Sequence, residues 1–210
     1  ILYVSTASIY PKTVQGRVSE KRTPVPKTPY AKTKFITEQL INDYKVYGLK
    51  STILRLFNVA GAHGFNDLDI GKNVITVLLN LIKDNRLFTL MGNDYPTPDG
   101  TCVKDFIHVD DVTEAIGKSA AKLLEPDTAS QTYNLGTGKG TSLGELIRKS
   151  IDITGKELKL RIGAALEDEV PSLIANNTKI KKDLGWAPQK NIDEIITSCW
   201  KWILQNGGKR

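Results

Sequence analysis

The sequence predicts an α/β protein built around a parallel β-sheet. Short apolar segments alternate along the chain with longer segments of helical periodicity, which is the order that βαβ units produce. Several of the short segments are apolar throughout, as expected for strands that are covered on both faces. Of the 210 residues, 40% are hydrophobic and 25% are charged, which is typical of a globular protein.

The N-terminal part of the chain predicts one βαβ unit. Residues 1–4 are short, β-rich and apolar, which indicates a fully buried strand. A long loop rich in proline, threonine and charge follows. A helix is then predicted over 29–47, opened by the Thr28 hydroxyl as N-cap and ended by Gly48. Residues 50–57 form the next buried strand, which completes the unit.

The remainder of the chain continues the alternation. Further strands are predicted over 87–91, 106–109 and 132–135, and further helices over 74–83, 110–124, 142–151 and 192–203. The Ser142-Leu-Gly-Glu145 capping box marks the start of one of these helices. Each of the last two helices carries its large apolar residues on one stripe, as an element that packs on a core does.

Composition excludes several classes of protein. There are 29 basic and 23 acidic residues, and the net charge of +6 is spread along the chain, so we expect no nucleic-acid partner. No segment approaches the roughly 18 consecutive apolar residues of a membrane span, and we expect no membrane association.

Cysteine, histidine and methionine are scarce. Cys102 and Cys199 are too few for a disulfide scaffold and fit a reducing compartment, so we expect a cytoplasmic protein. His63 and His108 have no cysteine or carboxylate at ligand spacing, and we expect no metal site. The chain opens on an apolar strand and has a single methionine, Met91, so we expect it to be the C-terminal part of something longer.

The strongest chemical signal is the segment Tyr30-Ala-Lys-Thr-Lys34. A tyrosine and a lysine at positions i and i+4 share a helix face, and a neighbouring ammonium favours the phenolate. Such a tyrosine is suited to act as general acid or base on a sugar or alcohol hydroxyl. The preceding strand ends in Ser5-Thr6-Ala7-Ser8, which puts hydroxyls at the carboxyl end of a parallel strand, where such folds build their sites. A pair of this kind that stands alone is most often solvated helix surface.

Together with other motifs, this segment resembles the extended short-chain dehydrogenase/reductase family. The resemblance rests on Val4-Ser-Thr-Ala-Ser-Ile-Tyr10, Pro29-Tyr-Ala-Lys-Thr-Lys34 and Leu54-Arg-Leu-Phe-Asn-Val-Ala-Gly61. Two later segments, Gly92–Asp111 and Tyr133–Gly138, and the ending Leu184-Gly-Trp-Ala-Pro188 resemble the UDP-glucose (UDP-galactose) 4-epimerases. The similarity covers essentially the whole chain.

The resemblance implies a fold and a domain division. It implies the C-terminal part of a Rossmann-like doubly wound parallel sheet together with a smaller α/β substrate-binding domain. Residues 1–58 would belong to the NAD-binding domain, whose glycine-rich half is absent, and segments near 106–136 would return to it. Residues 59–105 and 137–210 would form mainly the UDP-sugar domain. Family members are often homodimers through a helix pair, which would include residues 30–47 here.

The resemblance also implies an activity and its catalytic residues. NAD would oxidise C4 of a UDP-hexose to a 4-keto intermediate and reduce it again from the other face, interconverting UDP-glucose and UDP-galactose. Tyr30 would be the acid/base, Lys34 would lower the pKa of Tyr30 and hold the nicotinamide ribose, and Thr6 would supply the partner hydroxyl. Thr6, Tyr30, Lys34 and Phe57 would therefore contact the cofactor.

The substrate-binding residues that the resemblance implies depart from the family pattern at several positions. The positions are Asn58, Asn73, Met91, Lys104, Glu169 and Leu173. Lys104 stands where the family has a diphosphate-binding arginine, and lysine lacks the bidentate fork of arginine. Leu166 stands at a second phosphate arginine, Glu169 at a ribose-binding aspartate, and Met91 near an aromatic that often covers the uracil. Leu173 falls where side-chain size controls the entry of N-acetylated sugars.

Two other enzymes and one non-catalytic role remain as alternatives. Dehydratase relatives carry an Asp-Glu pair after the threonine, and Ala7 and Ser8 stand there instead, which argues against dehydration. Another nucleotide-sugar epimerase or decarboxylase of the family, or a truncated binding protein without activity, stays open. The segment Gly136-Thr-Gly-Lys-Gly140 resembles a dinucleotide fingerprint superficially, but Thr141 stands where the third glycine belongs, so we expect an ordinary loop.

Overall fold

The computed structural model describes residues 1–11, 16–64, 73–166 and 169–206. Within these residues the strands are β1 Leu2–Thr6, β2 Arg17–Val18, β3 Thr52–Leu56, β4 Asn58–Ala60, β5 Leu87–Met91, β6 Val103–Lys104, β7 Phe106–His108, β8 Gln131–Leu135, β9 Thr141–Ser142, β10 Lys159–Gly163 and β11 Ser172–Ala175. The α-helices are α1 Pro29–Asp43, α2 Val74–Lys83, α3 Val109–Leu124, α4 Leu143–Thr154, α5 Thr178–Leu184 and α6 Ile192–Asn206.

A three-stranded parallel sheet organises the first half of the fold. Its strand order is β1-β3-β8, and Thr6, Leu56 and Leu135 pair across its carboxyl end. Side chains alternate between the two faces of a strand. Leu54 and Leu56 of β3 pack with α3, whereas Arg55 between them reaches α1, so the two helices cover opposite faces. This is the predicted α/β architecture.

The second half of the chain adds smaller sheets and a helical core. The sheets are β10-β5 (parallel), β4-β7 (parallel) and the mixed sheet β2-β11-β6-β9. Helices α2, α4 and α6 bury their apolar stripes against β5, with Leu78, Leu146 and Ile195 fully buried at the centre. Nonpolar burial of this kind stabilises a fold by about 25 cal/mol per Å² of apolar surface.

Side-chain caps fix where the helices begin. The Thr28 hydroxyl accepts the N–H of Ala31 at the start of α1, and the Ser142 hydroxyl accepts the N–H of Glu145 at the start of α4. A cap satisfies one of the donors that the first turn leaves unpaired. Both caps were predicted from the sequence.

Three sequence expectations need correction. The first strand covers Leu2–Thr6 and is not fully buried, because β1 lies at the edge of its sheet and Ile1 is 56% exposed. The helix predicted over 29–47 is α-helical to Asp43 and ends in a 3₁₀ turn, Tyr44–Tyr47, before Gly48 at φ 85°. The loop after the first strand contains the short strand β2. None of the helices in the described ranges is long and apolar enough to cross a membrane.

Candidate active site

The tyrosine and lysine of the sequence motif lie side by side on the first two turns of α1. The Lys34 Nζ atom is 5.9 Å from the centre of the Tyr30 ring and 5.2 Å from the centre of the Tyr3 ring. Its ammonium donates a hydrogen bond of 3.0 Å to the Val4 carbonyl in β1. Tyr30 itself is 57% exposed. The arrangement presents a phenol to solvent while the strand holds the neighbouring positive charge in place.

Thr6 lies at the carboxyl end of β1, next to this helix. Its hydroxyl accepts the N–H of Ser8 at 3.2 Å and donates to the Ser8 hydroxyl at 3.1 Å. Ala7 belongs to the same apolar cluster as Ala31, the residue after Tyr30. The structure therefore brings the strand end that bears Thr6 against the helix turn that bears Tyr30.

Phe57 and Asn58 stand where β3 passes into β4. Phe57 is only 6% exposed and packs in the cluster that contains Ala31 and the half-buried Leu173. Asn58 donates both its backbone N–H and its side-chain amide to the carbonyl of Asp105, at 3.0 and 3.3 Å. Phe57 thus links the Tyr30 helix to the strand that carries Leu173.

Lys104 and Glu169, both assigned to substrate binding by the resemblance, contact each other. The Lys104 ammonium donates to the Glu169 carboxylate, and the two side chains are 21% and 23% exposed. Lys104 also pairs with Leu173 in the strand register. Three of the implied substrate residues therefore lie together, and the positive charge among them already has an internal partner.

Asn73 and Met91 lie in other parts of the fold. Asn73 is the N-cap of α2, and its side-chain oxygen accepts the N–H of Thr76 at 3.0 Å. Met91 ends β5 and is 36% exposed in the β10-β5 sheet. No contact of these two residues with Tyr30 is seen in the described residues.

The glycine-containing loop after β8 binds a carboxylate of the chain itself. Asp105 is fully buried and accepts hydrogen bonds from the Thr137 N–H and hydroxyl, the Gly138 N–H and the Ala175 N–H, at 2.6 to 3.0 Å. Burial raises the pKa of Asp105, and these hydrogen bonds oppose the rise. Gly136 is required here, since a Cβ atom on it would lie 2.7 Å from the carboxylate. The backbone donors that a phosphate would need are thus used internally.

The sequence analysis also missed a buried ion pair under the site. Arg55 in β3 and Glu38 in α1 are 7% and 1% exposed and are joined by a hydrogen bond of 2.7 Å. The available signals were an arginine inside an otherwise apolar strand and a glutamate one turn beyond Lys34. Neither stands out in the sequence without knowledge that the two elements pack together.

A cavity of about 920 Å³ lies on the other side of the mixed sheet. Its lining includes Val103 and Ile174, the neighbours of Lys104 and Leu173 on the same strands. Because side chains alternate along a strand, Lys104 and Leu173 face away from this cavity. None of the site residues that the sequence predicts lines it.

The two histidines form neither a metal site nor a hydrolytic triad. No cluster of three or more potential ligands occurs in the residues that the structure describes. His108 Nδ1 accepts the N–H of Asp110, which leaves the proton on Nε2, 3.1 Å from the Ser198 hydroxyl. A histidine that donates to the serine cannot act as its base. Burial also lowers the pKa of His108.

Comparison with known proteins supplies the family. The NAD dependent epimerase/dehydratase family matches residues 1–136. The UDP-glucose 4-epimerase of Rhizobium leguminosarum bv. trifolii is 36% identical over 207 residues, covering 96% of this chain and 63% of that protein. The UDP-glucose 4-epimerase of Rhizobium meliloti (strain 1021) is 37% identical over 209 residues with the same coverage. The chain thus spans about 63% of the length of these curated relatives.

Solved structures agree. A UDP-glucose-4-epimerase from Stenotrophomonas maltophila, with bound NAD and formylated UDP-arabinopyranose, matches with a TM-score of 0.93 and 30% identity, over 100% of this chain and 64% of that one. MoeE5 in complex with UDP-glucuronic acid and NAD matches with a TM-score of 0.83 and 26% identity, over 98% of this chain and 64% of that one. These matches confirm the Rossmann-like α/β fold class and the resemblance identified in the sequence. The chain belongs to the NAD dependent epimerase/dehydratase family.

Proposed function

We propose that the protein interconverts UDP-glucose and UDP-galactose as an NAD-dependent 4-epimerase. The observation that carries the proposal is the Tyr30–Lys34 pair on α1, with the phenol exposed and the ammonium bound to β1 beside Thr6. The identities to UDP-glucose 4-epimerases in two Rhizobium species support it.

The residues around Lys34 fit the nicotinamide end of NAD. An ammonium carries three N–H donors, and the Val4 carbonyl takes one of them, which leaves donors to hold ribose hydroxyls. Phe57 and Thr6 would complete this side of the cofactor site. The loop at Thr137 and Gly138 does not fit the diphosphate, because its N–H groups are donated to Asp105. When bound, NAD supplies an acceptor and donor of hydride at C4 of the sugar.

The chain's own residues would manage the proton of the sugar hydroxyl. Tyr30, as phenolate, takes the proton from the C4 hydroxyl and returns it after the 4-keto sugar has turned over in the site. Lys34 stabilises the phenolate by its charge, and the Thr6 hydroxyl donates a hydrogen bond to the same substrate oxygen.

The UDP-sugar would lie along the strand ends that carry the remaining candidates. Lys104 would contact the diphosphate, Glu169 the ribose, Met91 the uracil, and Leu173 would limit the size of the sugar. Asn58 and Asn73 would contact the diphosphate region as well.

Domain division, assembly and location follow the same proposal. Residues 1–58 with segments near 106–136 would form the nucleotide-binding domain, and 59–105 and 137–210 the substrate domain. The outer face of α1 exposes Ile36 and Leu40 by 54% and 53%, which suits a homodimer through this helix. We place the protein in galactose metabolism in the cytoplasm.

A second candidate is another nucleotide-sugar enzyme of the family, such as a uronic acid epimerase or decarboxylase. The observation that favours it is the pairing of Lys104 with Glu169, which changes the charge that a diphosphate would meet. The similarity to MoeE5, solved with UDP-glucuronic acid, points in the same direction.

The test is Tyr30→Phe in the natural full-length protein, assayed with UDP-galactose and NAD. We expect turnover to fall by about 10²-fold or more, as when a general acid/base is removed. Tyr47→Phe, at an 82% exposed tyrosine just beyond α1, is the matched control and should leave turnover unchanged. Near-normal turnover of Tyr30→Phe would exclude the role assigned to Tyr30. A wild-type protein that binds UDP-galactose without converting it, but converts UDP-glucuronic acid, would favour the second candidate.

A further inference from the structure

A row of polar side chains crosses the interior of the three-stranded sheet, one residue before its carboxyl end. Ser5 of β1, Arg55 of β3 and Asn134 of β8 pair in the strand register and are 2%, 7% and 0% exposed. Strands buried in a parallel sheet normally carry apolar side chains. Polar groups at such depth are costly unless they are hydrogen-bonded.

Glu38 of α1 and Tyr10 satisfy this row. The Arg55 guanidinium donates from Nη2 and Nε to the Glu38 carboxylate at 2.7 and 3.1 Å, and the Ser5 hydroxyl donates to the same carboxylate. Arg55 Nη1 donates to the Tyr10 hydroxyl at 2.9 Å. That hydroxyl in turn donates to Asn134 at 2.6 Å. The network joins helix α1 to all three strands of the sheet.

Apolar contacts alone hold α1 weakly. The buried residues of this helix are Ala31, Glu38 and Ile41, and one of the three is charged. Lys34 donates to the Val4 carbonyl, while Glu38 accepts from the adjacent Ser5. Polar contacts to two consecutive residues of β1 therefore set how far α1 is rotated and shifted along the sheet.

We propose that Glu38 and Arg55 are positioning residues for the chemistry of Tyr30. Tyr30, Lys34 and Glu38 follow one another at intervals of four along α1, so the ion pair fixes the register of the turns that carry the first two. A bidentate pair constrains direction as well as distance, which an apolar contact does not. The inference deepens the proposed function and rests on it.

The expected effect is on turnover. Misplacing a reacting group by about 1 Å costs about 10²-fold in rate. Loss of the ion pair should therefore lower kcat by about 10- to 100-fold, with KM for the UDP-sugar within about threefold, because substrate contacts are not assigned to Glu38 or Arg55.

The test replaces both charges together in the natural full-length protein, as Glu38→Met with Arg55→Met. Removing one alone would leave a buried charge without its partner, whereas replacing a buried pair with apolar residues often preserves the fold. Asp111→Asn is the matched control: Asp111 is 2% exposed and accepts the N–H groups of Gln189 and Lys190 on the far side of the fold from Tyr30. If the paired variant does not fold, Arg55→Lys, which keeps the charge but loses the fork, replaces it with a smaller expected effect.

Two readouts separate this inference from the proposed function. The first is kcat against KM, and a folded paired variant with wild-type kcat overturns the inference. The second is the ¹⁹F resonance of 3-fluorotyrosine at position 30, which should shift or broaden in the paired variant and not in Asp111→Asn. An unchanged resonance overturns the positioning role whatever the activity. If Tyr30→Phe retains turnover, the proposed function fails, while a shifted resonance would still support the positioning of Tyr30 by the ion pair.

Discussion

The carboxylate of Asp105 offers the sharpest test of how the candidate site is held together. Asp105→Asn changes one oxygen to an amide nitrogen and leaves the volume almost unchanged. The oxygen that remains can still accept from Thr137, but the new NH₂ group would face the N–H donors of Gly138 and Ala175. Two hydrogen bonds are lost, and two buried donors are left without an acceptor.

The magnitude follows from these contacts. A hydrogen bond to a charged group contributes about 1.5–3 kcal/mol, so two of them amount to about 3–6 kcal/mol. The cost of burying the carboxylate, visible in its raised pKa, offsets part of this loss. We therefore expect Asp105→Asn to lower the free energy of unfolding by about 2–4 kcal/mol.

The assay is urea-induced unfolding of the natural full-length protein. The control is Asp193→Asn, which removes a 53% exposed carboxylate paired with Lys149 and should cost less than about 0.5 kcal/mol. Equal midpoints for wild type and Asp105→Asn, at unchanged m-value, would refute the reasoning.

The pH dependence of the same measurement has a definite sign. Because the pKa of Asp105 is raised in the folded state, that state binds its proton more tightly than the unfolded chain does. The contribution of this group to the free energy of unfolding therefore falls as pH rises from the ordinary carboxyl range through the raised pKa. Asp105→Asn lacks this slope, and the difference between the two proteins should narrow as pH rises. A difference that widens would mean that the hydrogen bonds outweigh burial.

Two further predictions concern the substrate site and assembly. Lys104→Ala should weaken UDP binding about tenfold, measured by calorimetry, because a charge-assisted contact to phosphate is lost. Glu169→Gln should tighten it, since the competing carboxylate of the ion pair is removed, and unchanged affinity in both would mean that Lys104 does not reach the phosphates. Leu40→Glu, on the exposed face of α1, should shift a dimer to monomer in sedimentation velocity. An unaffected dimer would place the interface elsewhere.

Long periodic segments with sequence-encoded ends were predictable. Helix α2 and strand β5 begin and end where the sequence places them, and the Thr28 and Ser142 caps were recognised. In these segments local propensity and the apolar pattern agree. The Tyr30–Lys34 pair was predictable for the same reason, since its spacing on a helix decides which side chains are neighbours.

The short strands and the internal carboxylates were not predictable. Strands β6 and β9 have two residues each, and their pairing is decided by neighbours that are distant in sequence. Nothing local distinguishes Asp105, whose four donors come from residues more than thirty positions away. Periodicity reports which face of an element is apolar, but not which distant group satisfies a polar one.

The two halves of the candidate site differ in readiness. Tyr30 is exposed beside an ammonium that the strand already holds, so the acid/base half needs no rearrangement before a sugar hydroxyl arrives. In the substrate half, Lys104 is bound to Glu169, and a diphosphate has to displace that carboxylate or bind beside it. Displacement costs binding energy without changing the proton transfer. We therefore expect departures from the activity of its relatives to appear in KM for the nucleotide sugar, while kcat depends on the placement of α1.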